Sequence, residues 1–404
     1  QSYFGGPMWE YVPHLGKYYF HQFAPGQPDL NWQNPDLRRE IYEMMNWWFD
    51  RGIGGFRMDV IDLIGKDVDA GVLAEGPDLH RFLQEMHRDT LAGRDVLTVG
   101  ESWSVSPETA LLYSGQERRE LDMVFQFAHV VSGWHPEKGK WHPLPFDLPR
   151  FKKSLFDWQR ALADDGWNAL FLNNHDLPRQ VSAYGDDGTY RVRSAKALAL
   201  ALHLMKGTPF VYQGEEIGMT NTRFTDPSQF RDVETIGHWQ AAMARGEDPE
   251  AFMAGVNANG RDNARTPMQW SAGHQAGFTT GTPWIEVNPN YTQINVAADR
   301  EDPEGVFAFY KTLIALRRNA AIVTDGRFRA VAEHHPAVFA YTRELGGERL
   351  SVLVNLTSET VPFDIPGALT VEGECVAATI DPVTALSGHI YLRPYEGVAV
   401  LGSA

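Results

Sequence analysis

Gly54-Gly55-Phe56-Arg57-Met58-Asp59-Val60-Ile61-Asp62-Leu63 is the stretch on which the fold turns. It begins like a buried strand and carries Arg57 and Asp59 two places apart. Alternate strand residues share a face, so both side chains can point into one cavity. A buried carboxylate is costly unless it is paired, and Arg57 is the local partner. Taken alone, the two read equally well as a structural ion pair at a strand end, because such pairs mimic functional sites. The surrounding chain decides between the two.

Upstream, residues 1–33 are aromatic and loop-like. Pro35 then opens a helix in which Leu37, Ile41, Met44, Met45 and Trp48 recur at intervals of three and four, ending near Gly52. Downstream, residues 80–91 read as a helix with Phe82, Leu83 and Met86 facing inward. A buried strand runs from Asp95 to Gly100 and ends at Glu101, and another ends at Asn173-Asn174-His175-Asp176. Helices are predicted over 151–162, 194–205 and 306–318, and loops over 133–147, 217–235 and 254–300. Five strands, near 55–59, 96–101, 123–127, 168–174 and 208–213, thus alternate with helices. That alternation predicts an α/β fold with a parallel sheet and crossover helices. From about Ala321 the pattern changes to short strands without helices, near 338–341, 350–356, 360–363, 375–378 and 398–401, which predicts an antiparallel C-terminal domain. There is no internal repeat and no low-complexity segment.

The bulk composition narrows the function. With 404 residues the chain is long enough for a sizeable core and a second domain. A net charge of -16 argues against nucleic acid or an anionic membrane as partner. The lone Cys375 cannot form an internal disulfide, so the fold does not depend on oxidation. No apolar run is long enough to span a bilayer, and no secretory signal stands at Gln1, so a cytoplasmic location is the expectation. The 12 Trp, 14 Tyr and 22 Phe are mainly core, and they also suit stacking against sugar rings.

Asp59, Glu101 and Asp176 follow three separate buried strands. In a closed parallel barrel such strand ends surround one mouth. One acid there would be a cap or a solvated charge. Three converging acids must separate their pKa values through protons and cations. Glycoside hydrolysis needs such a pair, one carboxylate as nucleophile and one protonated acid.

The segments Gly55-Phe56-Arg57-Met58-Asp59-Val60, Val99-Gly100-Glu101-Ser102-Trp103 and Asn173-Asn174-His175-Asp176 resemble three signatures of glycoside hydrolase family 13, the α-amylase family. Gln27-Pro28-Asp29-Leu30-Asn31 resembles a fourth. Arg261-Asp262-Asn263-Ala264-Arg265-Thr266-Pro267-Met268-Gln269-Trp270 resembles a segment of the oligo-1,6-glucosidase, dextran glucosidase and α-glucosidase subfamily. The resemblance implies roles by position. Asp59 would be the nucleophile, Glu101 the acid and then the base, and Asp176 the stabiliser of the distorted ring. Arg57 would align Asp59, while His175 and Arg261 would bind the innermost glucose and Phe23 would line it. Val60 after the nucleophile resembles enzymes that cut α-1,6 links; its plain alternative is a β-branched residue filling a strand end. Trp103, Lys140 and Glu234 match positions that shape the site of the second sugar, although Lys140 alone would read as a solvated loop charge.

The resemblance also implies a (β/α)8 TIM barrel, of which five strands can be placed. The first three strands and most of the inserted B domain are expected to be absent. Residues 1–33 would then end the insertion, 34–320 would hold barrel strands four to eight, and 321–404 the C-terminal antiparallel β domain. A missing N-terminal segment or a second chain would complete the barrel. No cofactor or metal is expected to be required, and a structural calcium would belong to the missing part. The chain is expected to be an exo-acting α-glucosidase acting on short oligosaccharides, α-1,6-linked before α-1,4-linked. A transglycosylase or sucrose isomerase is the alternative on the same scaffold. The isomerases carry an Arg-Leu-Asp-Arg-Asp loop where this chain reads Lys138-Gly139-Lys140-Trp141-His142. A non-catalytic amylase-like binding protein is the alternative of another class, and the three intact acids weigh against it.

Overall fold

The computed structural model describes residues 1–404. A two-stranded hairpin, Trp9–Val12 with Lys17–Phe20, precedes the first long helix. That helix, α1 (Pro35–Phe49), starts where the sequence predicts. The Asn34 side chain accepts the Asp36 N–H, and Pro35 occupies a first-turn position where an N–H would have no partner.

Five short parallel strands follow in chain order: β1 (Gly55–Met58), β2 (Leu97–Glu101), β3 (Met123–Phe125), β4 (Ala169–Leu170) and β5 (Thr208–Pro209). The first three form one parallel sheet. A parallel bridge from Val124 to Asn168 leads on to the β4–β5 pair. Helices α2 (Leu79–Met86), α3 (Leu148–Ala161) and α4 (Arg191–His203) lie in the crossovers, so the wall has strands inside and helices outside. The strands β4 and β5 are shorter than the predicted 168–174 and 208–213. Thr208 and Phe210 donate to Asn168 O and Leu170 O at 2.7 and 2.8 Å, so Pro209, which has no N–H, falls at the position that makes no bond to β4.

Three loop assignments need correction. Within 133–147, Trp134–His135 pairs with Gly139–Pro143 in an irregular hairpin whose Trp141 is buried. The loops 217–235 and 254–300 are broken by helices: α5 (Val233–Ala244) starts inside the first, and α6 (Pro249–Asn259) runs into the second. Their apolar residues, Ile236, Trp239 and Met243 on α5 and Phe252 and Val256 on α6, pack into a small core around Trp141. A last helix, α7 (Val306–Asn319), packs back on α4.

The C-terminal part is antiparallel, after a short helical turn at Ala321–Asp325. Its strands are β6 (Arg327–Val331), β7 (Val338–Leu345), β8 (Glu348–Asn355), β9 (Val361–Asp364), β10 (Val371–Ala378), β11 (Ala385–Leu386), β12 (His389–Leu392) and β13 (Gly397–Ser403). Six form one sheet in the order β6-β7-β8-β13-β10-β11, and β9 pairs with β12. The sequence does not announce β6, an edge strand in which Arg327 and Arg329 keep alternate positions solvated.

The sheet is fused to the helical layer. Phe156, Leu198, Leu200, Leu313, Phe339 and Tyr341 are fully buried in one core shared by α3, α4, α7 and the sheet. The buried Lys152 of α3 donates from Nζ to the carbonyls of Ala332, His335 and Val338 at 2.7, 2.7 and 2.8 Å. A second core, with Tyr42, Met45, Leu79, Leu83 and Met86, braces β1 and β2 from behind. No helix is long and apolar enough to cross a membrane.

Candidate active site

Two glycines explain how the acid-bearing segments come so close. A Cβ on Gly55 would stand 1.8 Å from Leu97 O, so only glycine lets β1 approach β2 there. A Cβ on Gly100 would stand 2.7 Å from Ile61 Cγ2 and from Leu121 Cδ1, so the turn after Asp59 packs directly on β2. Val60 begins that turn with φ +35°, in the left-handed region that a β-branched residue adopts only under strain. The strained turn points the Val60 N–H at Glu101 Oε2, 3.3 Å away.

Asp59 follows β1, Glu101 ends β2, and Asp176 lies on the loop after β4. An Asx turn, with Asp176 N–H on Asn174 Oδ1 at 2.8 Å, fixes the last. All three line one cavity of about 1,410 Å³. Val60, Phe23, Trp103, Lys140, His175, Glu234 and Arg261 line it too. Arg57 does not; it lies behind the acids and pairs with both Asp59 and Glu101, the latter at 2.7 Å.

The two bridged carboxylates differ in environment. The Asp59 side chain is 74% exposed and that of Glu101 only 3%. Burial pushes the Glu101 carboxyl above its usual range, against the pull of Arg57 and of the Trp103 N–H, and the Asp59 charge adds to the rise. At Asp59 burial also acts upward, but hydrogen bonding and charge from Arg57 outweigh it and hold the carboxyl below its ordinary value. The two environments thus push the pair apart, Asp59 downward and Glu101 upward.

Trp103 sits on the acid itself: its Nε1–H donates to Glu101 Oε1 at 2.9 Å, and its ring stacks on Phe127 at 3.8 Å. Phe23 packs against Tyr3 and Phe4, each at 5.3 Å, and so serves the cavity wall and the local core together. Lys140 is not a solvated charge; its Nζ donates to Glu234 Oε2 at 2.6 Å. His175 Nε2 lies 3.6 Å from Asp176 Oδ2. Arg261 donates to Asp176 Oδ1 at 3.2 Å and stacks over Phe4 at 4.7 Å.

Motif reading overlooks three residues. Arg265 donates to Asp176 Oδ1 at 2.5 Å and to His175 O at 2.9 Å. Its signal was the spacing of four from Arg261. Asp232 receives both arginines. The buried Asp62 accepts Ser102 Oγ–H and Ser104 N–H, each at 3.1 Å, and so anchors the turn that follows Glu101. Asp62 stands two residues past the Gly55–Val60 signature and Asp232 in none; their serine and arginine partners lie 29 to 42 residues away. No three His, Cys, Asp or Glu side chains converge in a metal-holding arrangement.

The family described as alpha amylase, catalytic domain, matches residues 1–326. The chain belongs to the α-amylase family of glycoside hydrolases. Among its α-amylase-family relatives, the palatinase of Erwinia rhapontici is 51% identical over 405 residues, covering 99% of this chain and 74% of the relative. The oligo-1,6-glucosidase of Parageobacillus thermoglucosidasius is 47% identical over 415 residues, covering 98% of this chain and 74% of the relative. The crystal structure of Bacillus licheniformis trehalose-6-phosphate hydrolase superposes with a TM-score of 0.92 at 39% identity, over all of this chain and 75% of that one. The α-amylase-family assignment thus rests on sequence and on fold together.

Proposed function

We propose that this chain carries the catalytic machinery of a retaining, exo-acting α-glucosidase that favours α-1,6 links in short oligosaccharides. The observation that carries the proposal is the single Arg57 guanidinium bridging an exposed Asp59, whose carboxyl is held below its ordinary value, and a buried Glu101, whose carboxyl is pushed above it. Two carboxylates on one guanidinium support the retaining spacing of about 5–5.5 Å over the wider inverting one. Glu101 gives its proton to the glycosidic oxygen while Asp59 attacks the anomeric carbon. The aglycone leaves and a β-glucosyl ester forms on Asp59. Glu101, now ionised, takes a proton from a water that attacks the same carbon, and Asp59 is released. Asp176, His175 and Arg261 hold the glucose, and Asp176 offsets the charge that develops on its ring. Trp103, Lys140, Glu234 and Val60 border the second sugar, with Phe23 on the wall of the innermost subsite.

The five parallel strands fit strands four to eight of the (β/α)8 barrel, with 34–320 as the barrel portion, 1–33 as the end of the inserted domain and 321–404 as the C-terminal domain. Their unbroken parallel order supports this division.

Linkage preference follows from Val60. Its methyls stand beside Asp59, where the second sugar leaves the innermost subsite, and an α-1,6 link swings that sugar along a different path. One methyl-sized steric difference biases kcat/KM by roughly 10–200-fold. Isomaltose is expected to be the better substrate than maltose, and Val60→Thr, which keeps the β-branch, is expected to narrow the ratio. A wild-type preference for maltose overturns the linkage preference. An unchanged ratio in the variant removes Val60 as its cause. A sucrose isomer as the main product from sucrose would favour the isomerase alternative.

A further inference from the structure

We infer that Asp232 is a positioning residue that holds and neutralises the two arginines bound to Asp176. The inference rests on Asp176 being the ring-stabilising carboxylate of the proposed glucosidase.

The Asp232 side chain is fully buried at the start of α5. Its two oxygens divide the work, although Oδ1 also accepts the Glu234 N–H at 3.4 Å. Oδ2 caps the helix, accepting Thr235 N–H at 3.1 Å and Thr235 Oγ–H at 2.9 Å. Oδ1 accepts Arg261 Nε–H at 3.0 Å and Nη2–H at 2.5 Å, with Arg265 Nη1 at 3.4 Å. The same guanidiniums use their other nitrogens on Asp176 Oδ1, at 3.2 Å from Arg261 and 2.5 Å from Arg265. Two cations therefore sit between two carboxylates. The backbone of the hub is pinned as well: the N–H groups of Arg231 and Asp232 donate to Asp262 Oδ2 at 2.8 and 3.1 Å. Asp262 belongs to the segment that carries both arginines.

The charge count shows why capping alone is too small a role. Lys140 balances Glu234, whose Oε2 also lies 3.2 Å from Arg261 Nε. Arg261 and Arg265 balance Asp176 and Asp232. Removing the Asp232 charge leaves one surplus positive charge beside Asp176. Positive charge also develops on the glucose ring in the transition state, so the surplus opposes the reaction more than it opposes binding of a neutral sugar.

Asn caps a helix as well as Asp does, so Asp232→Asn deletes the charge and keeps the cap. The full chain is assayed on p-nitrophenyl α-glucoside, with Ki for neutral glucose and for a glucose-configured iminosugar cation. Asp232→Asn is expected to keep Tm near the wild-type value, to lower kcat about 100-fold and to change KM by only a few-fold. The iminosugar Ki should rise about tenfold more than the glucose Ki. In an Asp176→Asn background the same change should cost less than about threefold, because it acts through Asp176. Asp232→Ser, another neutral cap, serves if the Asn variant does not fold. A kcat within about twofold of wild type, parallel rises in the two Ki values, or the full loss in the Asp176→Asn background overturns the inference. Wild-type activity in Asp176→Asn itself would instead overturn the proposed role of Asp176, and this inference with it.

Discussion

Asp59→Asn is expected to lower kcat by about 10⁴-fold or more while leaving the fold intact. The substitution keeps the shape of the side chain and an oxygen acceptor for Arg57. It removes the anion that must bond to the anomeric carbon. The side chain is 74% exposed at a strand end, so no core contact depends on its charge. Turnover of p-nitrophenyl α-glucoside together with the thermal transition checks both parts. Near-normal turnover would show that another group is the nucleophile, and loss of the folded transition would show that the Arg57–Asp59 pair is structural.

The second large effect belongs to Glu101. Glu101→Gln is expected to cut kcat/KM by about 10²–10⁴-fold on isomaltose, the usual contribution of a positioned general acid. An aryl glucoside with a good leaving group needs little protonation, so the loss in its first step should be much smaller. The pH profile gives an independent check. Asp59 acts as the anion, and its lowered pKa puts the acid limb below the range of an ordinary carboxylate. Glu101 acts protonated, and its raised pKa puts the basic limb above that range. Activity should therefore form a bell between the two, and Glu101→Gln should flatten the basic limb alone. A basic limb that survives in the variant would assign it to a different group.

Much of the site is legible because its chemistry is local in sequence. Arg57 and Asp59 share a strand face, Glu101 closes an apolar run, and Asp176 follows an Asn-Asn-His turn. Each is announced by its own neighbours. The network around Asp176 is different. Asp232 meets Arg261 across 29 residues, and Lys140 meets Glu234 across 94, so only the folded chain brings them together. The helices α5 and α6 escape for a related reason. They carry Ile236, Trp239, Met243, Phe252 and Val256 into a small core around Trp141, and a Cβ on Gly255 would stand 2.0 Å from Trp141 O. Other members of that core, Phe224, Phe230 and Ile285, lie in the flanking segments, so the apolar face has a partner only in the folded chain. The antiparallel part was legible from its turns and alternation, except at β6, where charged edge residues obscure the strand, and at the short β11 and β12.

The central claim is covalent catalysis by Asp59, and the most direct measurement is to trap the intermediate. A fluorinated glucosyl fluoride, which forms the glucosyl ester faster than water removes it, is incubated with the full chain. Peptide mapping by mass spectrometry then locates the added sugar. The expected result is one fluoroglucosyl group per chain on the peptide carrying Asp59, absent from Asp59→Asn. A label on another carboxylate, or turnover with inversion at the anomeric carbon and no label, would contradict it.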